Sequence, residues 1–332
     1  MQAGKALMKS IVRSKSYPRL VSLEEIADSS RIGVPIAMGS CATLLENLLD
    51  HQMVAAMETF RKLVGQVDAL IAVETGQVNT LAVLYTAAKS GIPVLDADGT
   101  GRSIPEFKNT VFYSAKVDPN PYVMADSVGN QVVLNAISVD DVDRLGRTIC
   151  TEMGGLNGTA GILSSGAKIK EIAVPDTISW CERLGRILRE NQDTDAAKAI
   201  IADNSGFLLI RGSIERIESR VLHGHDFGSL TVRGKGKFRN QRVKVGFKNE
   251  GLIAYKNGRP AVISPDHIFM LDLFTQKPVT FTDAEEGLQV SVVALRSHPK
   301  RRTPGDYDGF RPSLRDVGYT GEYVPVEKLL GK

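Results

Sequence analysis

The sequence predicts an α/β protein: an N-terminal domain with a parallel sheet covered by helices, then a β-rich C-terminal domain. Three observations carry this expectation. The chain has 332 residues, a length that suits two domains. Its first half alternates short apolar runs with stretches of helical periodicity, as a parallel sheet with crossover helices requires. Its second half is a succession of short strand-like runs punctuated by Gly and Asn, the mark of antiparallel hairpins.

The elements follow in order. Arg31-Ile-Gly-Val-Pro-Ile-Ala-Met38 is a short apolar run ending in Gly39 and reads as a buried strand. Residues 43–64 carry Leu44, Leu45, Leu48, Leu49, Val54, Met57, Phe60 and Val64 broadly at helical spacing, with Thr43 and Glu46 as a capping box. Residues 68–74 read as a second buried strand, 79–89 as a helix stopped by Ser90-Gly91, and 92–96 as a third strand. Short strands are expected at 111–114, 122–126 and 131–134, then a helix at 140–151 capped by Ser138 or Asp140. A further helix at 176–191 aligns Ile178, Cys181, Leu184, Ile187 and Leu188 on one face. Beyond Ser205, strands are expected at 207–211, 228–232, 242–248, 252–256, 260–264, 267–272 and 288–294. Asn257-Gly258 between two of them is a strong hairpin signal. The domain boundary is placed near Glu152, giving domains of 1–151 and 152–332.

Composition narrows the function classes. Hydrophobic residues make up 42% and charged residues 24%, values of an ordinary globular enzyme that exclude disorder and fibrous repeats. Lys plus Arg is 41 against Asp plus Glu at 38, too small a surplus to argue for nucleic acid or an anionic membrane. Three cysteines, Cys41, Cys150 and Cys181, occur without CxxC spacing, which fits a reducing compartment and a cytoplasmic location. The longest apolar run is too short to span a bilayer, and no secretory leader is expected. No GxxxxGK[ST] motif occurs, which removes a P-loop ATPase.

Two acidic loops close successive strands, where an open α/β sheet places its chemistry. The first is Glu74-Thr-Gly-Gln-Val-Asn79; the second is Asp96-Ala-Asp-Gly-Thr-Gly-Arg-Ser-Ile-Pro-Glu106. Carboxylates two residues apart followed by Gly-x-Gly-Arg could supply a general base, backbone N–H donors and a guanidinium clamp. The same residues could instead cap the turn, with Asp96 and Asp98 pairing with Arg102. His223-Gly-His225-Asp226 is the only histidine cluster with ligand spacing, because i and i+2 share one face of a strand. It could hold a divalent metal or form a hydrogen-bonded loop pair. Cys41, between a strand and a helix, reads as an activated thiol or a small buried residue. The basic stretch Arg233-Gly-Lys-Gly-Lys-Phe-Arg239 reads as a solvated hairpin loop or a phosphate or RNA contact, and Trp180 as packing.

These loops, with Ala87-Ala88 and Gly91-Ile-Pro-Val-Leu between them, resemble the S-methyl thiohydantoin desulfurase family. The second loop matches the family pattern at nearly every position, whereas Gln77 replaces the second glycine of the first. Lys248-Asn-Glu250, Ser264-Pro-Asp266, Val317-Gly-Tyr319 and Tyr323-Val-Pro325 extend the similarity over most of the chain. The resemblance implies an α/β first domain, a β-rich second domain, and hydrolysis at a ring carbon bearing an S-methyl group, giving hydantoin and methanethiol. For that chemistry we expect Asp98 as base, oriented by Asp96. Arg102 and the N–H groups at Gly99 to Gly101 would stabilise charge, Glu74 and Asn79 bind the cyclic amide, and Glu106 donate a proton. Family members usually begin with an apolar helix and a Thr-Gly-Gly-Gly-Gly-type loop before the segment matching Gly4-Lys-Ala-Leu-Met8. This chain starts after that loop, so the expectation is either a site that lacks those donors or a true start codon upstream. Related domains are fused to, or encoded beside, hydantoinase/oxoprolinase-type proteins. A non-catalytic partner of such an enzyme is therefore the rival reading, with a degenerate homologue third. A homo-oligomer is compatible with all three.

Overall fold

A computed structural model describes residues 2–39, 51–222, 225–281 and 283–331. Cys41, the Thr43/Glu46 capping box and His223 lie outside the described residues. The chain forms two compact units. The first comprises the residues up to Ser103 together with Phe107–Ser179; the second comprises Ile104–Glu106 and everything from Trp180 onward.

The first unit holds strands β1 (Leu20–Val21), β2 (Arg31–Gly39), β3 (Ala69–Ala72), β4 (Val94–Asp98), β5 (Tyr122–Ala125), β6 (Gln131–Leu134), β7 (Leu156–Ser165) and β8 (Val174–Pro175). They form one sheet in the order β1-β4-β3-β2-β7-β5-β6, with β8 on β4. β4, β3 and β2 run parallel, as expected, and β1, which is not among the expected strands, joins them parallel on β4. The sheet is nevertheless mixed, because β7, β5 and β6 continue it antiparallel. The link between β5 and β6 is too short for a parallel crossover. It is a turn closed by Asp126, whose Oδ1 accepts from Val128 N at 3.0 Å and Asn130 N at 2.8 Å.

Helices α1 (Gln2–Ser14), α2 (His51–Val64), α3 (Asn79–Ser90), α4 (Val111–Ser114), α5 (Val139–Glu152), α6 (Gly166–Ile172) and α7 (Thr177–Glu190) complete the first part of the chain. Because strand side chains alternate in direction, Leu70, Ala72 and Val94 pack with Ala56, Met57 and Phe60 of α2 and Val83 and Ala87 of α3. Ile71, Val73, Leu95 and Ala97 turn the other way, into a cluster with Phe112 and with Val142 and Cys150 of α5. Burial on both faces is why these strands read as continuous apolar runs. Ser138 caps α5, its Oγ accepting from Asp141 N at 3.1 Å. Residues 111–114, expected as a strand, are instead a turn of helix, because the Thr110 hydroxyl caps Tyr113 N at 3.2 Å.

The second unit adds α8 (Ala196–Asn204), α9 (Pro304–Asp316) and α10 (Val326–Leu329). Its strands are β9 (Phe207–Leu222), β10 (His225–Gly234), β11 (Arg242–Lys248), β12 (Glu250–Lys256), β13 (Arg259–Ile263), β14 (His267–Asp272), β15 (Pro278–Val279) and β16 (Gln289–Leu295). They make an all-antiparallel sheet in the order β13-β12-β11-β10-β9-β16-β14-β15. Asn257 and Gly258 both take positive φ between the paired Lys256 and Arg259, the two-residue hairpin that the Asn-Gly pair predicts. Leu230, Val232, Val243, Val245, Phe247, Met270 and Val292 form its core. Asp266, fully buried, accepts from Ser297 N, Val326 N, the Tyr323 hydroxyl and the Arg302 guanidinium. Among the described residues no helix is long and apolar enough to cross a membrane.

Candidate functional site

The parallel strands β2, β3 and β4 end at one edge of the first sheet, and Glu74 follows the end of β3. Asn79, the first residue of α3, joins two of these strand ends. Its Oδ1 accepts from Ala37 N of β2 at 2.8 Å, and its Nδ2 donates to Glu74 Oε1 at 2.6 Å. An amide oxygen can only accept and an amide NH₂ can only donate. The backbone of β2 therefore sets which end of Asn79 faces the carboxylate. Thr80 closes the loop, its hydroxyl accepting from Gly76 N at 3.1 Å and donating to Glu74 O at 3.4 Å. Glu74 and Asn79 are half-buried, open in part to solvent.

The second loop is organised differently. Asp98 is fully buried, and its Oδ1 accepts from Thr100 N at 3.0 Å and Gly101 N at 2.6 Å. Its Oδ2 accepts from the Thr75 hydroxyl and from Thr100 Oγ1 at 3.2 Å. Gly99 N donates to Ala72 O of β3 at 3.1 Å, so all three N–H groups at positions 99–101 are engaged, two by Asp98 and one by β3. Gly99 must be glycine: a Cβ there would fall 2.5 Å from both the Phe112 ring and Val73 O. Arg102, 6% exposed, donates from Nε to Ser103 O at 3.0 Å. The Thr75–Asp98 bond fastens the two acidic loops together. Gly76 lets them close up, since a Cβ there would lie 3.2 Å from Ser103 Oγ and 3.3 Å from Glu74 Oε1.

Asp96 serves a third purpose. Its Oδ1 accepts from Ile178 N at 2.9 Å and Ser179 N at 3.0 Å, and its Oδ2 from the Ser179 hydroxyl. Those N–H groups are the unpaired donors that open α7, and a carboxylate there also suits the helix dipole. No local signal in the sequence ties Asp96 to a helix that starts so much later. Thr75, Thr100 and Ser179 are the partners that sequence reasoning passed over. The hydroxyls of Thr75 and Thr100, immediately beside the two carboxylate motifs, were the available hint.

Glu106 belongs to the second unit. Its Oε2 accepts from Ser313 Oγ at 2.6 Å, and its Oε1 pairs with Lys248 Nζ at 3.0 Å. Lys248, its side chain 4% exposed, also pairs with Asp316 at 2.8 Å. Of the candidate metal ligands, His225 is buried on β10, with Nδ1 3.2 Å from Asn249 Nδ2. Asp226 N donates to the Asn249 Oδ1 at 2.8 Å, and Asp226 O accepts from Asn249 N at 2.8 Å. Among the described residues no three His, Cys, Asp or Glu side chains are grouped to hold a metal ion. The structure thus brings together Glu74, Asn79, Asp98, Gly99, Gly101 and Arg102, engages Asp96 with α7, and puts Glu106 in the other unit.

Comparison with known proteins also divides the chain in two, with the boundary at residues 136/137 and so inside the first compact unit. Residues 1–136 match the S-Me-THD-like N-terminal domain, and residues 137–326 match the S-Me-THD-like C-terminal domain. An X-ray structure of a structural-genomics target protein from Chromobacterium violaceum has the same fold, with a TM-score of 0.83 at 23% identity. The similarity covers 98% of this chain and 92% of that chain. No curated protein matches the sequence.

Proposed function

The chain belongs to the S-Me-THD-like family, and from that premise we propose that it is a hydrolase acting on a cyclic amide of the S-methyl thiohydantoin type. The products are methanethiol and hydantoin. The observation that carries the reading is the Ala37–Asn79–Glu74 relay at the ends of the parallel strands. It presents a solvent-accessible carboxylate in an orientation held by the backbone, as a general base requires. Asp98, with four donors on a fully buried carboxylate, holds the turn. We therefore assign the base to Glu74 and make Asn79 a positioning residue.

In this reading water adds across the ring C=N bond at the carbon bearing the S-methyl group. The C–O bond forms as one water proton passes to Glu74, which returns it to the ring nitrogen. Collapse forms the carbonyl and breaks the C–S bond. Sulfur leaves with the bonding pair and takes the remaining hydroxyl proton, so substrate and water give hydantoin and methanethiol in balance. A thiolate is a good enough leaving group to need no strong acid beside it. Incubating the protein with S-methyl thiohydantoin and trapping methanethiol with a thiol reagent tests the activity. Glu74→Gln should lose about 100-fold or more in kcat with an unchanged melting temperature. Undiminished turnover in that variant removes Glu74 as base, and no methanethiol from the unsubstituted protein removes the desulfurase reading.

A further inference from the structure

We propose that the second unit carries a separate binding site for a planar organic anion, such as an aromatic carboxylate, on the sheet face formed by β9 to β12. Strand pairing sets residues there in three rows. Arg220, Phe227 and Lys248 form one, Glu218, Ser229, Gly246 and Ile253 the next, and Arg216, Thr231, Lys244 and Tyr255 the third. Directly paired residues share a face of the sheet. The middle row is therefore hollow at Ser229, while Ile253 and Val317 close over Gly246 beside it, with Phe227 in the row on one side and Tyr255 in the row on the other. The result is a cleft of about 580 Å³ whose rim includes Asp316, the last residue of α9, and Val317 and Gly318 after it. That volume suits a small-molecule site. The floor is closely built: a Cβ on Gly246 would stand 3.1 Å from Ile253 Cγ2 and 3.3 Å from Val317 Cβ.

Charge decides what fits. Of the acids of the cleft, Glu218 pairs with Arg216 at 2.6 Å, and Asp316 at 2.8 Å shares Lys248 with Glu106. Among the described residues Lys244 and Arg220, which line the cleft, have no ion-pair partner, so the charge left over is cationic. Lys248 Nζ already lies 4.9 Å over the Phe227 ring. Lys244 is four residues along β11 from Lys248, roughly 13 Å at strand spacing. The anionic end of the ligand belongs at Lys244, and its flat body belongs over the hollow at Ser229 between the two aromatic rings.

Isothermal titration of the full chain with benzoate tests this, with benzamide as the uncharged comparison. Benzoate should bind in the millimolar range expected of so small a ligand, and benzamide more weakly. Lys244→Met should weaken benzoate by about fivefold. Ser229→Phe, which fills the hollow, should abolish binding. Lys235→Met, on an exposed loop outside the cleft, should change nothing. Circular dichroism establishes that each variant is folded; if Ser229→Phe is not, Lys244→Met decides alone. The proposal falls if wild type shows no binding of millimolar benzoate, or if benzoate binds Lys244→Met as it binds wild type. It is independent of the Glu74 assignment and survives the failure of that reading.

Discussion

Asp98→Ala should lower the melting temperature of the first unit sharply, whereas Asp98→Asn should lower it little. The carboxylate is fully buried and receives Thr100 N at 3.0 Å, Gly101 N at 2.6 Å, Thr100 Oγ1 at 3.2 Å and the Thr75 hydroxyl. Alanine strands the two N–H groups, each costing about 1–3 kcal/mol when buried without an acceptor. The hydroxyls fare better, since Thr100 Oγ1 also reaches Arg102 O. The loss is therefore about 2–6 kcal/mol, or a fall on the order of 10 °C for a unit of this size. Asparagine keeps a carbonyl oxygen for both N–H groups and can donate to Thr75. It forfeits mainly the assistance of the charge, about 1 kcal/mol. Thermal melts followed by circular dichroism, run beside the methanethiol assay, separate two roles for this residue. If Asp98→Ala melts within about 2 °C of wild type yet has lost turnover, the turn-holding account is wrong and Asp98 is the base.

Two further outcomes follow from the second unit. Asp266→Ala removes a buried carboxylate that faces Arg302 and two backbone N–H groups, and should cost about 3–5 kcal/mol. Trp180, the single tryptophan of the chain and part of this unit, reports its urea unfolding midpoint; an unmoved midpoint would contradict the role given to Asp266. Acid should destabilise the same unit. Asp195, Asp272 and Glu327 titrate below their ordinary values: burial opposes ionisation, but Arg211, the N–H groups of Thr275 and Phe274, and Arg302 respectively outweigh it. Each depressed value contributes stability that is present above the unfolded carboxylate range near pH 4 and is lost as pH falls through the folded values. Trp180-monitored melts should be flat from about pH 5 to 7 in respect of these groups and decline below about pH 4; a rise on acidification would refute the assignment.

Legibility in the sequence followed how local each signal is. Strands β11 and β14 begin and end where apolar alternation places them, and the Asn257-Gly258 turn needed only two residues to announce itself. The first sheet's β7 was not anticipated, because Gly158, Gly161, Ser164 and Ser165 give it the look of a loop. Those glycines serve close packing. A Cβ at Gly158 would meet the α2 backbone at 2.4 Å, and one at Gly161 would meet the Tyr122 ring at 2.6 Å. The four residues after Thr110 were misread as a strand for the opposite reason, since an apolar run that short carries no period of its own.

The candidate site divides the same way. Sequence alone located two acidic loops beyond strand ends and identified the family, because strand–loop–helix order and motif spacing are properties of neighbouring residues. Its ranking of the carboxylates, with Asp98 as base and Asp96 orienting it, takes no account of the donors that surround each one in space. Only the folded chain assigns Asp96 to the amide groups of Ile178 and Ser179, closes Asp98 around its own turn, and sets Glu74 against an Asn79 held by Ala37. A carboxylate's function is decided by the hydrogen bonds it receives, and for Glu74 and Asp96 the decisive partners come through β2 and α7, elements that no motif window contains.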